Sequence, residues 1–398
     1  MYKFILFLGI CLAFASGSKP PEKSPAKHPA RLPVADNKCQ KIVGCYYINN
    51  ENEQVDPTLN IEMIDVHICT HLFYSSVSLK KNASIELDDA YTDEGEGGGY
   101  ERISKLSKRN KRFKTLTTIV EYGILFDPKM RGKLVDNIVA FLQKYKLNGI
   151  ELKSQYLAEN NAVASDKQNF VLLLKALKEN FDKHGLILAL SVDGYESTAN
   201  KYDIKEISKY VSFIILKAFD FHGNPDVTAK RPKAGHIAPL YHSSKENAEE
   251  RKLNVDYIVK YWITKGAPPN KLILGTTFSG IDYTLVNPKI VGRDAPVVVD
   301  PKYSIPPTSY YYTCPWEKNR VWTTLWDKEQ QVPYISKRKE MIAYENVASI
   351  KLKAEYAKRM QLGGVFADSI EEDDFSGHCG GEKFTLLKTM SRVLRDKC

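Results

Sequence analysis

Residues 147–153, Leu-Asn-Gly-Ile-Glu-Leu-Lys, form a short apolar run that carries two charges. Side chains alternate along a strand, so Glu151, Lys153 and Gln155 would share one face, with Ile150 and Leu152 on the other. The run is flanked by helical spacing on both sides. Leu134, Ile138, Phe141, Leu142 and Tyr145 precede it, and Phe170, Leu173, Leu174, Leu177 and Phe181 follow. The next apolar run is 186–192. Strand, helix, strand in this order implies parallel pairing under a helical cover. Working outward, comparable runs lie at 41–47, 68–77, 113–122, 211–219, 271–278 and 362–368. Eight such units predict an α/β fold, a closed (β/α)8 TIM barrel with its inward charges on strand four. After the seventh run come about 60 residues without helical period, too many for a plain loop. They read as an inserted α+β subdomain, about 281–342.

The chain has 398 residues, 43% hydrophobic and 26% charged, with a net charge of +9. This is a globular composition. It excludes disorder throughout, a coiled coil and a multispan membrane protein, and it gives no signature of nucleic-acid binding. Lys3, the apolar run Phe4 to Phe14 and Ala13-Phe14-Ala15 read as a secretory signal, residues 1–18, too short to span a bilayer. Residues 19–38, rich in Pro and Lys, read as a flexible basic leader, with matrix or heparin-like binding as an alternative to a merely solvated tail. Residues 39–398 would then be the barrel. Cys11 leaves with the signal, and six cysteines remain in a secreted, extracellular, disulfide-permissive setting. Asn82-Ala83-Ser84 is a glycosylation sequon.

Functional residues of such a barrel sit at the carboxyl ends of the strands. There the segments Cys45-Tyr46-Tyr47, Cys69-Thr70-His71-Leu72, Phe219-Asp220-Phe221-His222-Gly223, Gly235-His236-Ile237-Ala238-Pro239-Leu240-Tyr241, Trp326-Asp327 and Asp373-Asp374-Phe375 stand in order. In sequence and spacing the chain resembles glycoside hydrolase family 18, the chitinases and chitinase-like proteins. The resemblance covers about residues 40–395. It implies a substrate-assisted hydrolysis in which a strand-four Glu protonates the glycosidic oxygen and an Asp two residues earlier orients the substrate N-acetyl group. The family pattern DGxDxDWE falls on Asn148-Gly149-Ile150-Glu151-Leu152-Lys153-Ser154-Gln155. Gln155 has no proton to transfer near pH 7. Lys153 puts a cation where an anion should assist. The resemblance therefore implies a degenerate, inactive site. Gln in place of the acid, with Ala218-Phe219-Asp220-Phe221 at strand six, looks most like the insect imaginal disc growth factors.

The sugar-binding positions that the resemblance implies are altered too. The strand-eight Trp is read at Ala367, the strand-one Trp at Asn50, the strand-three GGW at Val120-Glu121-Tyr122, and the strand-seven Tyr-Gly-Arg at Phe278-Ser279-Gly280. Tyr46, Tyr122, Phe219, Asp220, Trp316 and Trp322 remain as groove candidates. Cys45–Cys69 and Cys314–Cys379 match family disulfides. The two left over, Cys39 and Cys398, are expected to pair because a closed barrel brings its first strand beside its last helix.

Several residues carry rival readings. Glu151 could be a relocated acid, but an ion pair with Lys153 or another interior cation is the better expectation. Lys217 could form a Schiff base, as desolvated barrel lysines do, yet no matching acid/base set accompanies it. His222 and His236 fit structural roles better than metal ligation, and neither a metal nor a cofactor is implied. Trp316 and Trp322 fit a subdomain core at least as well as a ligand wall. With Lys153 and Lys217 both inward, the former active site is expected to be a charge-paired cluster with Glu151, Asp220 or Glu121. At least one contact would be under ~4 Å, filling and rigidifying the pocket. The expected protein is a secreted monomer of growth-factor-like or signalling type, meeting an unknown cell-surface or matrix protein. A lectin holding chitin-type glycan weakly is the first alternative, and a hydrolase with relocated groups the second.

Overall fold

A computed structural model describes residues 41–48, 58–121, 127–154, 164–222, 232–298 and 308–395, without the side chains at 75, 121, 154 and 164. The signal and leader readings, Cys39, Cys398, Tyr122 and Gln155 lie outside the described residues. Eight strands form the barrel. They are β1 Ile42–Tyr47, β2 His71–Leu79, β3 Lys114–Glu121, β4 Gly149–Ser154, β5 Ile187–Asp193, β6 Phe213–Lys217, β7 Leu272–Thr277 and β8 Gly364–Asp368. Each is parallel to its sequential neighbour, and β1 pairs with both β2 and β8, so the sheet closes. The helices lie between strands in the chain: Arg131–Tyr145 and Ala164–His184 flank β4, and Val347–Arg359 leads into β8.

Period-two alternation divides the strand residues between two cores. Val43, Ile150, Leu152, Leu190, Leu216, Leu274 and Val365 face outward and join the helices. Phe73, Leu116, Ala189, Phe213, Ile215, Ile273 and Phe366 form a separate apolar plug inside the barrel. Close approach matters at Gly44, where a Cβ would stand 2.4 Å from the Phe366 ring. The missing side chain on β1 is what admits that ring to the plug. Helix Val347–Arg359 is fixed at its start by Asn346, whose side chain accepts from the amides of Ala348 and Ser349 while the Ser349 hydroxyl accepts from the Asn346 amide.

Between β7 and β8 the chain builds an antiparallel sheet. Ser279–Leu285, Glu340–Ala343, Val332–Lys337 and Thr323–Asp327 pair in that order, with the helix Tyr310–Glu317 inserted. Its core joins Ile281, Tyr283 and Met341 to Ala234, Ile237 and Phe219 beyond β6. The two histidines serve this junction. His222 Nδ1 donates to the His236 carbonyl at 3.0 Å, and His236 Nε2 stands 3.3 Å from the Asp327 carboxylate. Disulfides join Cys45 to Cys69 (Cα–Cα 6.0 Å) and Cys314 to Cys379 (5.8 Å). Cys69 lies just ahead of β2 rather than on it.

The Asp373-Asp374-Phe375 segment has a structural use. The Asp373 carboxylate accepts from the amides of Leu386 and Leu387 at the start of helix Thr385–Arg395. Asp374 accepts from Gly377, His378 and Cys379 and so shapes the turn that presents the second disulfide. Among the described residues no helix is long and apolar enough to cross a membrane.

Candidate functional site

A cavity of about 370 Å³ opens at the carboxyl ends of the strands, directly above the apolar plug. Tyr46 of β1, Glu151 and Lys153 of β4, Lys217 of β6 and Asp368 of β8 line it, and Asp88, Asp89 and Asp93 after β2 give it an acidic wall. The last three are built into the fold. Asp88 accepts from Ser76 and Ser78 at 2.5 and 2.6 Å, Asp89 caps the short helix Ala90–Asp93, and Asp93 accepts from the Tyr74 hydroxyl.

One lysine is paired. Lys217 Nζ lies 3.0 Å from Asp368 Oδ2, with only about a fifth of either side chain exposed. Burial works against the Lys217 charge. Asp368 outweighs it, with Asp193 and Glu151 helping, so the ammonium is held above its ordinary range. Lys217 also sits over the Phe219 ring at 5.1 Å. The other lysine is different. Lys153 makes no ion pair within 4 Å among the described residues. Burial and then the neighbouring Lys217 charge push its pKa down. Glu151, 3% exposed, accepts from the Thr118 hydroxyl at 2.5 Å, and burial pushes its carboxyl up.

The expected cluster is therefore corrected in two respects. A lysine–carboxylate contact exists, but its anion is Asp368, not Glu151 or Asp220, and the Glu121 side chain lies outside the described residues. Glu151 faces both lysines only at longer range and is held by a hydroxyl instead. The pocket is also not filled, because the pair forms along one wall and leaves the cavity open. The reason Asp368 escaped notice is register. Ala367 faces outward into the helix-side core, while Phe366 and Asp368 face in. The inward position at the rim of β8 is thus Asp368, and the reading that put the strand-eight Trp position at Ala367 is one residue off.

Other expected site residues separate. Asn148 lies at the amino end of β4, where its side-chain oxygen accepts from the Thr115 amide at 2.9 Å, remote from the cavity end of that strand. Tyr46 does line the cavity and packs 6.2 Å from Phe366. Phe219 belongs to the subdomain core, which leaves it little room to meet a ligand. Asp220 adopts a left-handed backbone (φ 60°), and its carbonyl accepts from the Tyr195 hydroxyl at 2.6 Å. Burial raises its carboxyl. Trp316 and Trp322 stack on each other at 5.1 Å, with Lys337 over Trp322 at 5.0 Å, and neither lines the cavity. Asn82 is exposed in the turn after β2, where its side chain accepts from the Ser84 amide and hydroxyl.

Two acids beyond β8 were not anticipated. Burial raises Glu371 to about 8 and Glu372 to about 7. Glu372 accepts from the Ser279 hydroxyl at 2.5 Å, and Glu371 from the Ile48 amide at 3.3 Å. Nothing in the local pattern Ile-Glu-Glu-Asp-Asp marks them as half-buried.

A barrel closed around an apolar plug, with a charged cavity at its carboxyl rim and an antiparallel insertion after β7, is a (β/α)8 scaffold of the kind that carries its site at the carboxyl ends of the strands. Comparison with known proteins makes this specific. The sequence pattern of Glycosyl hydrolases family 18 matches residues 42–373, and the chain belongs to that family. It is 30% identical over 378 residues to human Chitinase-3-like protein 2, covering 88% of this chain and 92% of the relative. It is 29% identical over 357 residues to Probable chitinase 10 of Drosophila melanogaster. There it covers 84% of this chain but 15% of the much longer relative. The structure of human YKL-39, a pseudo-chitinase with retained chitooligosaccharide binding properties, superposes with a TM-score of 0.79. The identity is 26%, covering 89% of this chain and 99% of that one.

Proposed function

We propose that this chain is a secreted, non-hydrolytic member of the family that acts by binding, with a growth-factor-like role exerted through protein contacts. The observation that carries this is Lys153. The family mechanism needs a carboxylate there to orient an N-acetyl group, and this chain places a lysine side chain, which offers no anion, in the cavity lining instead. Gln155 in the sequence removes the proton donor as well. Loss of positioned acid catalysis alone removes about 10²–10⁴ in rate. The two disulfides fit an oxidising, extracellular setting. The resemblance of its strand-four and strand-six motifs to imaginal disc growth factors supports the signalling side, with a cell-surface or matrix protein as partner.

A lectin reading is favoured by one specific feature, the cavity that stays open beside Tyr46. Human YKL-39 binds chitooligosaccharides without being a chitinase. The test is three-armed. Purified mature protein should release no fluorophore from a chitobioside. Saturable binding of chito-oligosaccharides would select the lectin. Cell binding without glycan binding would select the signalling role. Steady turnover would overturn both.

A further inference from the structure

The two lysines of the cavity differ in a way that has chemical consequences. Lys217 is committed to Asp368 at 3.0 Å and stays charged. Lys153 projects from β4, two strands away, into the same cavity, without a carboxylate within 4 Å among the described residues. Glu151 stands two residues earlier on the same inward face, so the two side chains emerge about 7 Å apart along the strand. We propose that Lys153 is a carbonyl-capturing amine, and that the cavity takes a small polar aldehyde, such as the open-chain end of a reducing sugar, as a reversible imine.

The parts are in place. A neighbouring fixed cation is one of the two ways in which proteins keep a lysine amine unprotonated, and desolvation is the other. Both act on Lys153, through Lys217 and through burial. The groups facing it are Glu151 on its own strand, Asp193 on β5, Lys217 on β6 and Asp368 on β8. Burial pushes the Glu151 carboxyl up, towards the form that carries a proton to donate. In the step itself, the Lys153 nitrogen pair attacks the carbonyl carbon, and the C=O π pair moves to oxygen. A proton passes from nitrogen to that oxygen, giving a carbinolamine. Its hydroxyl takes the Glu151 proton and leaves as water while the nitrogen pair closes the C=N bond. One aldehyde and one amine give one iminium, one water and a Glu151 carboxylate. Nothing is oxidised or reduced. Lys217, which the sequence alone suggested for this chemistry, is excluded by its ion pair with Asp368.

The test is competitive labelling of the intact secreted protein at pH 7. Glycolaldehyde with cyanoborohydride converts any imine to a stable secondary amine, and peptide mapping reads the initial rate at each lysine. A parallel arm uses N,N′-diacetylchitobiose. The expected result is labelling of Lys153 about tenfold faster than the median exposed lysine, because a lowered pKa leaves more of its amine free at pH 7. Lys217→Met should slow Lys153 labelling towards the surface value, because it removes the cation and leaves Asp368 unneutralised nearby. Labelling by both probes assigns the site to reducing-sugar ends, and labelling by glycolaldehyde alone to small free aldehydes. Labelling of Lys153 at or below the surface rate, or faster labelling of Lys217, would overturn the proposal.

Discussion

The two ends of the barrel interior are built on opposite principles. At the amino end, Phe73, Leu116, Phe213, Ile273 and Phe366 fill the space with rings and branched chains. At the carboxyl end, Glu151, Lys153, Lys217 and Asp368 surround a cavity of about 370 Å³. The lower end is the ordinary solution to closing a barrel, where apolar burial stabilises and no group needs a partner. The upper end carries charges with little to hold them. Among the described residues only the Lys217–Asp368 pair is made directly, while burial pushes the Glu151 carboxyl up and the Lys153 amine down. A site shaped for hydrolysis would need its carboxylates ionised and protonated on demand. Here the directly paired carboxylate, Asp368, is tied to Lys217, and Glu151 is held by the Thr118 hydroxyl. The difference teaches that the apolar packing which closes the barrel lies below the rim, apart from the groups that could carry chemistry.

Replacing a plug residue should cost most. Phe366→Ala removes a ring lodged against Gly44, Phe73 and Tyr46 and should lower stability by about 3–5 kcal/mol in denaturant titrations. Asp368→Ala, at the rim of the same strand, should cost less, about 2 kcal/mol, below the ~3–5 kcal/mol of a fully buried pair because about a fifth of each side chain is exposed to water. A rim substitution costing more than the plug substitution would break the contrast between the two ends. Next in size is a pH effect. Glu371 and Glu372 have folded pKa values of about 8 and about 7, above the ordinary carboxylate value of 4.5. The folded state thus binds more protons than the unfolded chain between about pH 4.5 and pH 8. The stability these acids contribute is complete below pH 4.5 and is lost as pH rises through 7 and 8. Tm should accordingly fall from pH 5 to pH 8, and Glu372→Gln, which keeps an acceptor for Ser279, should flatten the slope. The smallest effect is expected at Lys153. Lys153→Met removes a desolvated amine that makes no ion pair among the described residues. It should change stability by less than about 0.5 kcal/mol in either direction.

The sequence exposed the frame more readily than the rim. Eight apolar runs were legible because strands covered on both faces are apolar at nearly every position, and the observed strand limits fall within about three residues of those runs. The parity of β4 was also legible, since Ile150 and Leu152 alternate visibly with Glu151 and Lys153. The parity of β8 was not. Gly363 and Gly364 give no side chain from which to count, and Val365, Phe366 and Ala367 are all apolar, so Asp368 reads as the end of the strand rather than its inward rim. Partner choice was hidden for a related reason. A lysine side chain reaches across a neighbouring strand, and Gly275 on β7 leaves the space between β6 and β8 open for Lys217 to do so. Trp316 and Trp322 read equally well as wall or packing. Their mutual stacking and their packing against the large core, away from the cavity lining, assign them to packing.

The central claim is that the rim no longer supports hydrolysis, and that restoring one group does not restore it. Catalytic groups acting as a unit are strongly non-additive. Gln155→Glu alone leaves Lys153 at the assisting position and the Lys217–Asp368 pair across the cavity. The most direct measurement is fluorogenic chitobioside turnover by the wild-type chain and by Gln155→Glu, side by side. Both are expected at the blank rate. Turnover by the wild-type chain that disappears in Glu151→Gln would contradict the account and identify Glu151 as a relocated acid. Turnover by Gln155→Glu alone would show that Lys153 does not block the assisting position.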